Sequence, residues 1–420
     1  MEVSVLPGSL SGRVTIPASK SHTVRALVIA TLAEGKSLLR DPLYSADTQA
    51  CADVCRRFGA DILMEDDVWE VEGTGGKPEV PDDIIDVRNS GTTLYIALGM
   101  AGLCNGWSFF TGDDQIRKRP AGALLDSLND LGAHSFSSRA NGLPPIAVKG
   151  VLKGGSTTIV CPTSQYLSSL LISCPLASGD TTIEVPTLNE KPYVRMTLSW
   201  LSGQGIRLSN DNLSRFVIPG GQSYTPFDKY IPADFSSATF FLCAAALTGS
   251  TITLEGLDMN DSQGDKLVVD ILKEMGCRID VEDKSLLVKG GTLSGGEFDL
   301  NSIPDALPAL AVTACFAKGT TRLYNVAQAR LKETDRISVM CAELKKMGAD
   351  IEELPDGLVV RESPLCGTRV HGHYDHRVVM ALVIAGLGAS GTTIVESAEA
   401  VGITFPSFFT LLDSVRKSFS

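Results

Sequence analysis

Residues 241–280 read FLCAAALTGSTITLEGLDMNDSQGDKLVVDILKEMGCRID. An alanine-rich run stops at Gly249, where glycine tolerates the left-handed end of a helix. A β-branched strand, STITLE, follows at once. A second helical stretch then sets Leu267, Val268, Ile271, Leu272 and Met275 on one face and stops at Gly276. The same punctuation recurs along the chain. Gly249 has counterparts at Gly35, Gly106, Gly179, Gly319 and Gly391, and the successive gaps are 71, 73, 70, 70 and 72 residues. Gly276 has counterparts at Gly59, Gly132, Gly205 and Gly348, with gaps of 73, 73, 71 and 72. Two independent landmarks share one period, and six such units fill the 420 residues.

Each unit reads as strand–helix–strand–helix–strand–strand. About 70 residues is too long for a solenoid repeat and suits three units packed into one globule, twice. The fold class is therefore α/β (α+β), in two domains, each holding three βαβαββ units around buried helices. A chain of 420 residues is also too long for one ordinary core. Alanine-rich helices under mixed sheets account for an aromatic content of only 6%.

The net charge of −12 argues against general nucleic-acid binding, yet leaves room for a local basic pocket. No apolar run approaches the roughly 20 residues of a membrane span. The start, MEVSVLPGSLSG, has no basic segment before an apolar one, which points to the cytoplasm. Ten cysteines are scattered without a Cys-x-x-Cys and mostly in apolar surroundings. They read as buried free thiols.

Several motifs carry chemistry. Lys20, Ser21 and Arg25 open the helix SKSHTVRALVIATLAEG. Cations there oppose the helix dipole, and with the free amides they make an anion site; a solvated basic face is the plainer alternative. Asn89-Ser90-Gly91-Thr92 stands where strand gives way to helix, and a glycine there lets backbone approach a ligand. RKRP at 117–120 reads as surface charge or as a phosphate-gripping loop. RLKETDR at 330–336 is the densest charge cluster, either an internally paired helix start or a site. Asp305 lies at the mouth of an apolar helix, as an N-cap or a base. HGHYDH at 371–376 invites a metal reading but has no helical His-x-x-x-His spacing.

Together with PASKSHTVRAL (17–27), NSGTT (89–93), SQ (164–165), EKPY (190–193), DFSSA (234–238), IPD (303–305), DHR (375–377) and TFP (404–406), these stretches resemble the 5-enolpyruvylshikimate-3-phosphate synthase family of enolpyruvyl transferases over essentially the whole chain. SADT at 45–48 and PDDIID at 81–86 lean toward its archaeal-like, divergent members. The resemblance implies a three-unit domain of residues 18–232, on the acceptor and phosphate side. It implies a second of 1–17 plus 233–420, bearing the catalytic carboxylates and the grip on the carboxylate of phosphoenolpyruvate. It implies transfer of the enolpyruvyl group of phosphoenolpyruvate to the 5-hydroxyl of shikimate-3-phosphate, in chorismate biosynthesis, by a monomer without metal or cofactor.

Residue by residue, the resemblance makes Asp305, Glu333 and Lys20 catalytic. It gives phosphoenolpyruvate to Lys20, Asn89, Gly91, Thr92, Arg119, Gln165, Arg336 and Arg377. It gives the acceptor to Ser21, Arg25, Thr163, Ser164, Gln165, Glu190, Tyr193, Asp305, Gln328 and Lys332. Some positions depart from the family pattern. Tyr95 and Gln115 replace arginines, Gln328 an asparagine, and Ile403 a lysine of many bacterial members. Glu190 replaces a serine of the acceptor-phosphate site. A carboxylate about 4 Å from a phosphate costs about 4 kcal/mol per charge pair at an effective dielectric of 20. Lys191 or Arg195 is expected to offset it. These departures keep open a paralogue with another hydroxyl acceptor and, behind it, an inactive scaffold.

Overall fold

In the computed structural model, which describes residues 1–418, helices of two kinds alternate along the chain. In the unit Lys20–Ile231 they are α1 (Lys20–Leu32), α2 (Ala46–Arg57), α3 (Gly91–Ala101), α4 (Gly122–Asp130), α5 (Ser164–Ser173) and α6 (Lys191–Gly203). In the unit formed by Met1–Ser19 and Pro232–Ser420 they are α7 (Phe235–Leu247), α8 (Leu267–Glu274), α9 (Leu307–Cys315), α10 (Arg336–Lys346), α11 (His376–Gly388) and α12 (Phe408–Val415). The odd-numbered helices are buried on nearly every side. Their sequences are apolar all round, as a core helix must be. The even-numbered ones bury one stripe; in α8 it is Val268, Val269, Ile271 and Leu272. α3 packs on α1 and α5, and α7, α9 and α11 pack on one another. Close approach of α3 and α5 depends on Gly99, where a Cβ would lie 2.5 Å from the hydroxyls of Ser169 and Ser173.

Among the described residues the strands form six sheets, one per repeat. In all six an opening strand runs parallel to the strand that follows the buried helix, and in four of them that helix is itself the crossover. Gly155–Cys161 and Thr181–Leu188 flank α5 in this way, and the hairpin Ser209–Asp211 with Arg215–Ile218 completes the sheet antiparallel. The two repeats at the chain crossings borrow their opening strands. Asp228–Tyr230 pairs parallel with Lys36–Arg40, and Gly8–Thr15 pairs parallel with Thr251–Glu255. The last repeat takes Glu2–Val5 as its antiparallel strand, on Thr393–Glu396. So the N-terminal segment belongs with the C-terminal half of the sequence. The buried helices α3, α5, α9 and α11 each begin shortly after the opening strand of their own sheet, so their free amides and first side chains stand near one end of it.

Candidate functional site

In the unit Lys20–Ile231 the sequence-predicted residues gather at the N-termini of α1, α3, α5 and α6. Lys20 opens α1, and its ammonium meets the Asp47 carboxylate of α2 at 3.0 Å, both largely buried. Arg25, one turn further and 2% exposed, donates to Thr197 Oγ1 at 2.9 Å, Ser21 O at 2.9 Å, Tyr193 O at 3.2 Å and Ser168 Oγ at 3.4 Å. Burial lowers its pKa to about 10, against the opposing pull of Tyr193 and Glu190, so it stays charged at neutral pH.

Ser90 caps α3 by accepting from Thr93 N. Asn89 beside it donates to Asp113 Oδ2 at 2.5 Å and to Gln115 Oε1 at 2.7 Å. A Cβ on Gly91 would lie 2.9 Å from an Arg119 Nη, so only glycine lets that guanidinium lie against the start of α3. Two buried tyrosines, Tyr95 and Tyr166, both donate to Pro120 O and so fix the residue after Arg119. Tyr95, where the family pattern has arginine, is thus a support of this loop. Gln165 Nε2 donates to Thr92 Oγ1 at 2.8 Å, tying α5 to α3.

Glu190 is held unlike its neighbours. It is 2% exposed, with φ 57° and ψ 40°, the left-handed region. Its Oε2 accepts from Thr163 Oγ1 at 3.0 Å, Ser164 N at 3.0 Å and Ser164 Oγ at 2.9 Å. The carboxylate therefore fills a three-donor anion seat at the N-terminus of α5. Lys191 and Arg195, expected to balance it, are exposed, and Arg25 is a buried cation that feels its charge.

In the other unit the charged residues converge on Arg336, whose side chain is fully buried. It donates to Asp305 Oδ1 at 2.7 Å, Glu333 Oε2 at 2.5 Å, and Asp375 at 2.8 Å (Nε to Oδ2) and 3.1 Å (Nη2 to Oδ1). Arg377 Nη2 reaches the second oxygen of Asp305 at 3.0 Å. Asp375 also caps α11 by accepting from Arg377 N at 2.9 Å. Burial opposes the charge on Asp305, but Arg377, Lys332 and Arg336 outweigh it and hold its pKa far below the usual carboxylate range. Burial likewise opposes the charge on Arg336, and Asp375, Glu333 and Asp305 override it, raising its pKa. Gln328, 4% exposed, donates to Asn301 O at 3.1 Å.

Each unit thus collects its own share of the predicted residues, and each share has partners that sequence reasoning did not assign. Asp47 pairs Lys20, Asp113 anchors Asn89, Thr197 and Ser168 orient Arg25, and Asp375 orients Arg336. Asp47 lay within SADT and Asp375 within DHR, so both were visible as motif members. Asp113, Ser168 and Thr197 gave no local signal. A cavity of about 740 Å³ between Asp53, Arg57, Glu79 and Arg88 holds none of these residues. Its three arginines are paired, Arg57 with Asp82 and Arg88 with Asp53 at 2.7 Å, and Arg56 with Asp53 at 3.0 Å. No group of three or more His, Cys, Asp or Glu among the described residues is arranged to hold a metal ion. None of their helices is long and apolar enough to cross a membrane.

The family model for EPSP synthase (3-phosphoshikimate 1-carboxyvinyltransferase) matches residues 6–412. A 3-phosphoshikimate 1-carboxyvinyltransferase of Acetivibrio thermocellus is 57% identical over 412 residues, covering 98% of this chain and 97% of that relative. One of Methanocella arvoryzae is 46% identical, covering 95% of this chain and 94% of its own length. A solved EPSP synthase structure from Acinetobacter baumannii is similar with a TM-score of 0.81 at 28% identity, covering 99% of this chain and 98% of that one.

Proposed function

The chain belongs to the EPSP synthase family, and from that premise we propose that it transfers the enolpyruvyl group of phosphoenolpyruvate to the 5-hydroxyl of shikimate-3-phosphate, releasing phosphate. The observation that carries this reading is the cluster of Asp305, Glu333, Arg336 and Arg377: two carboxylates for proton work beside two guanidinium groups suited to a carboxylate.

In this reading the reaction is an addition followed by an elimination. A proton adds to the methylene carbon of phosphoenolpyruvate, and the acceptor oxygen bonds to its central carbon as the hydroxyl proton leaves. A methyl proton is then lost, the bond from the central carbon to the phosphate oxygen breaks, and phosphate departs. Asp305 takes the hydroxyl proton; Glu333 and Lys20 move the proton at the methylene carbon. Arg336 and Arg377 hold the carboxylate of phosphoenolpyruvate. Lys20, Asn89, Gly91, Thr92, Arg119 and Gln165 serve its phosphate side. Ser21, Arg25, Thr163, Ser164, Gln165, Glu190, Tyr193, Gln328 and Lys332 serve the acceptor. We assign the acceptor and phosphate side to a domain of residues 18–232, and the catalytic carboxylates to 1–17 plus 233–420.

The pairing geometry supports a particular sequence of events. Both oxygens of Asp305 rest on the two guanidinium groups assigned to the substrate carboxylate. So held, Asp305 is a poor base. Phosphoenolpyruvate, by engaging Arg336 and Arg377, takes their charge for itself and returns basicity to Asp305. The base is then armed only when the donor is in place. Each step uses side-chain acids and fixed cations alone, and the enzyme is assigned as a cytoplasmic monomer acting on small anions. The test is phosphate release on adding phosphoenolpyruvate with shikimate-3-phosphate, or with shikimate. Release with the first pair only is the expected result; release with neither acceptor sinks the reading.

A further inference from the structure

Glu343 is a buried carboxylate that the proposed reaction does not use. It lies on α10, seven residues after Arg336, two helical turns along the same face. It is 2% exposed. Its oxygens accept from Lys346 Nζ at 2.8 Å, from His371 N at 3.0 Å, and meet His373 Nε2 at 2.9 Å. Burial opposes its charge, but Lys346, His373 and the His371 amide prevail and lower its pKa, so it is ionised at neutral pH.

The segment it grips leads straight into Asp375, His376 and Arg377. His373 and Tyr374 stand in succession at φ 53° and 56°, a left-handed turn that side chains rarely adopt unless their surroundings hold it. His373 N donates to His371 Nδ1 at 2.9 Å, Tyr374 N to Ser397 Oγ at 3.3 Å, and Asp375 N to Gly372 O at 2.9 Å. One helix therefore clamps the turn on both flanks: Arg336 grips Asp375 after it, and Glu343 grips His371 and His373 before and within it.

We propose that Glu343 is a positioning residue, which through His371 and His373 fixes the turn that aims Arg377 and seats Asp375 against Arg336. The proposal rests on the reading of Arg336 and Arg377 as the grip on the carboxylate of phosphoenolpyruvate. It predicts an effect on that substrate alone.

The experiment compares the full-length parent with Glu343→Ala, Glu343→Gln and His373→Ala. It measures kcat, the KM of each substrate, and amide hydrogen exchange of the 371–377 segment. Glu343→Ala should raise the KM for phosphoenolpyruvate about tenfold, the weight of one charged hydrogen bond. The KM for shikimate-3-phosphate should stay within about twofold, and exchange should quicken in 371–377 and not elsewhere. Glu343→Gln, which keeps an acceptor for the His371 amide, should recover part of the loss. An unchanged KM for phosphoenolpyruvate, or equal losses for both substrates, overturns the proposal. If Glu343→Ala does not fold, Glu343→Gln and His373→Ala carry the same comparison. A parent that transfers nothing sinks the functional reading instead. Exchange then decides alone: faster in 371–377 only supports the clamp, and uniform or unchanged rates refute it.

Discussion

Under the proposed acceptor assignment, Glu190 is the residue that sets the terms of recognition. Its carboxylate occupies the donors of Thr163 and Ser164, so an acceptor phosphate seeking that seat must displace it. Each pair of charges about 4 Å apart costs about 4 kcal/mol at an effective dielectric of 20. Glu190→Ser should therefore leave the dissociation constant for shikimate-3-phosphate unchanged or lower it, measured calorimetrically. A tenfold loss would make Glu190 a partner of the acceptor. Arg195→Asp should matter little, because Arg195 is exposed. Asp305 gives a second residue-level expectation. Asp305→Asn should cut kcat by about 10²–10⁴, the usual weight of a positioned base. It should also cost about 2–3 kcal/mol of stability at pH 7 by loosening Arg336 and Arg377. The folded-state pKa of Asp305 is depressed, so its stabilisation is present above its unfolded value of about 4 and fades as pH falls below that. Urea unfolding of parent and variant should then converge between pH 4 and more acid conditions. A gap that widens toward acid would contradict the ion-pair assignment.

At the scale of elements, the repeat was legible because glycine punctuates it. Gly35, Gly249, Gly319 and Gly391 take positive φ at or beside helix ends, as do Gly59, Gly132, Gly205, Gly276 and Gly348, whereas Gly106 and Gly179, expected to match Gly249, do not. The alternation of wholly apolar and amphipathic helices was legible for the same local reason. The candidate site was most legible near helix starts, where the sequence pattern is short-range: Lys20 opens α1, Asn89 stands just before the cap of α3, and Thr163 and Asp375 cap α5 and α11. What escaped was long-range pairing. Arg25 with Thr197 spans 172 residues, and Asn89 with Asp113 spans 24. Glu343 is buried, and nothing in its local sequence, CAELKK, signals that. The borrowed strands escaped too, since a three-residue strand such as Asp228–Tyr230 has no readable period. Close packing of α3 on α5 provides the element-level test. Gly99→Val should lower stability by about 1–3 kcal/mol, the cost of overpacking. An unchanged melting temperature would mean that the two helices separate freely there.

For the whole molecule, the crossing of the chain makes the N-terminus structural. Glu2–Val5 and Gly8–Thr15 are strands of sheets otherwise built from residues beyond 250. Deleting residues 1–16 should therefore abolish cooperative unfolding of the second unit in calorimetry, whereas an unaltered transition would show those strands to be ornamental. The reaction class asks only for acids, a base and fixed cations, so activity should survive exhaustive chelation. Loss that added magnesium or zinc restores would overturn that expectation and return attention to His371 and His373. The central claim is that a carbon unit moves from phosphoenolpyruvate to a hydroxyl of shikimate-3-phosphate. Phosphoenolpyruvate labelled with ¹³C at its central carbon, followed by NMR in the presence of protein and shikimate-3-phosphate, observes this directly. The account predicts that the labelled resonance shifts to that of an enol ether on the 5-oxygen, with one phosphate released per ether formed. A label that stays in phosphoenolpyruvate, or that appears as pyruvate with no ether, would contradict it.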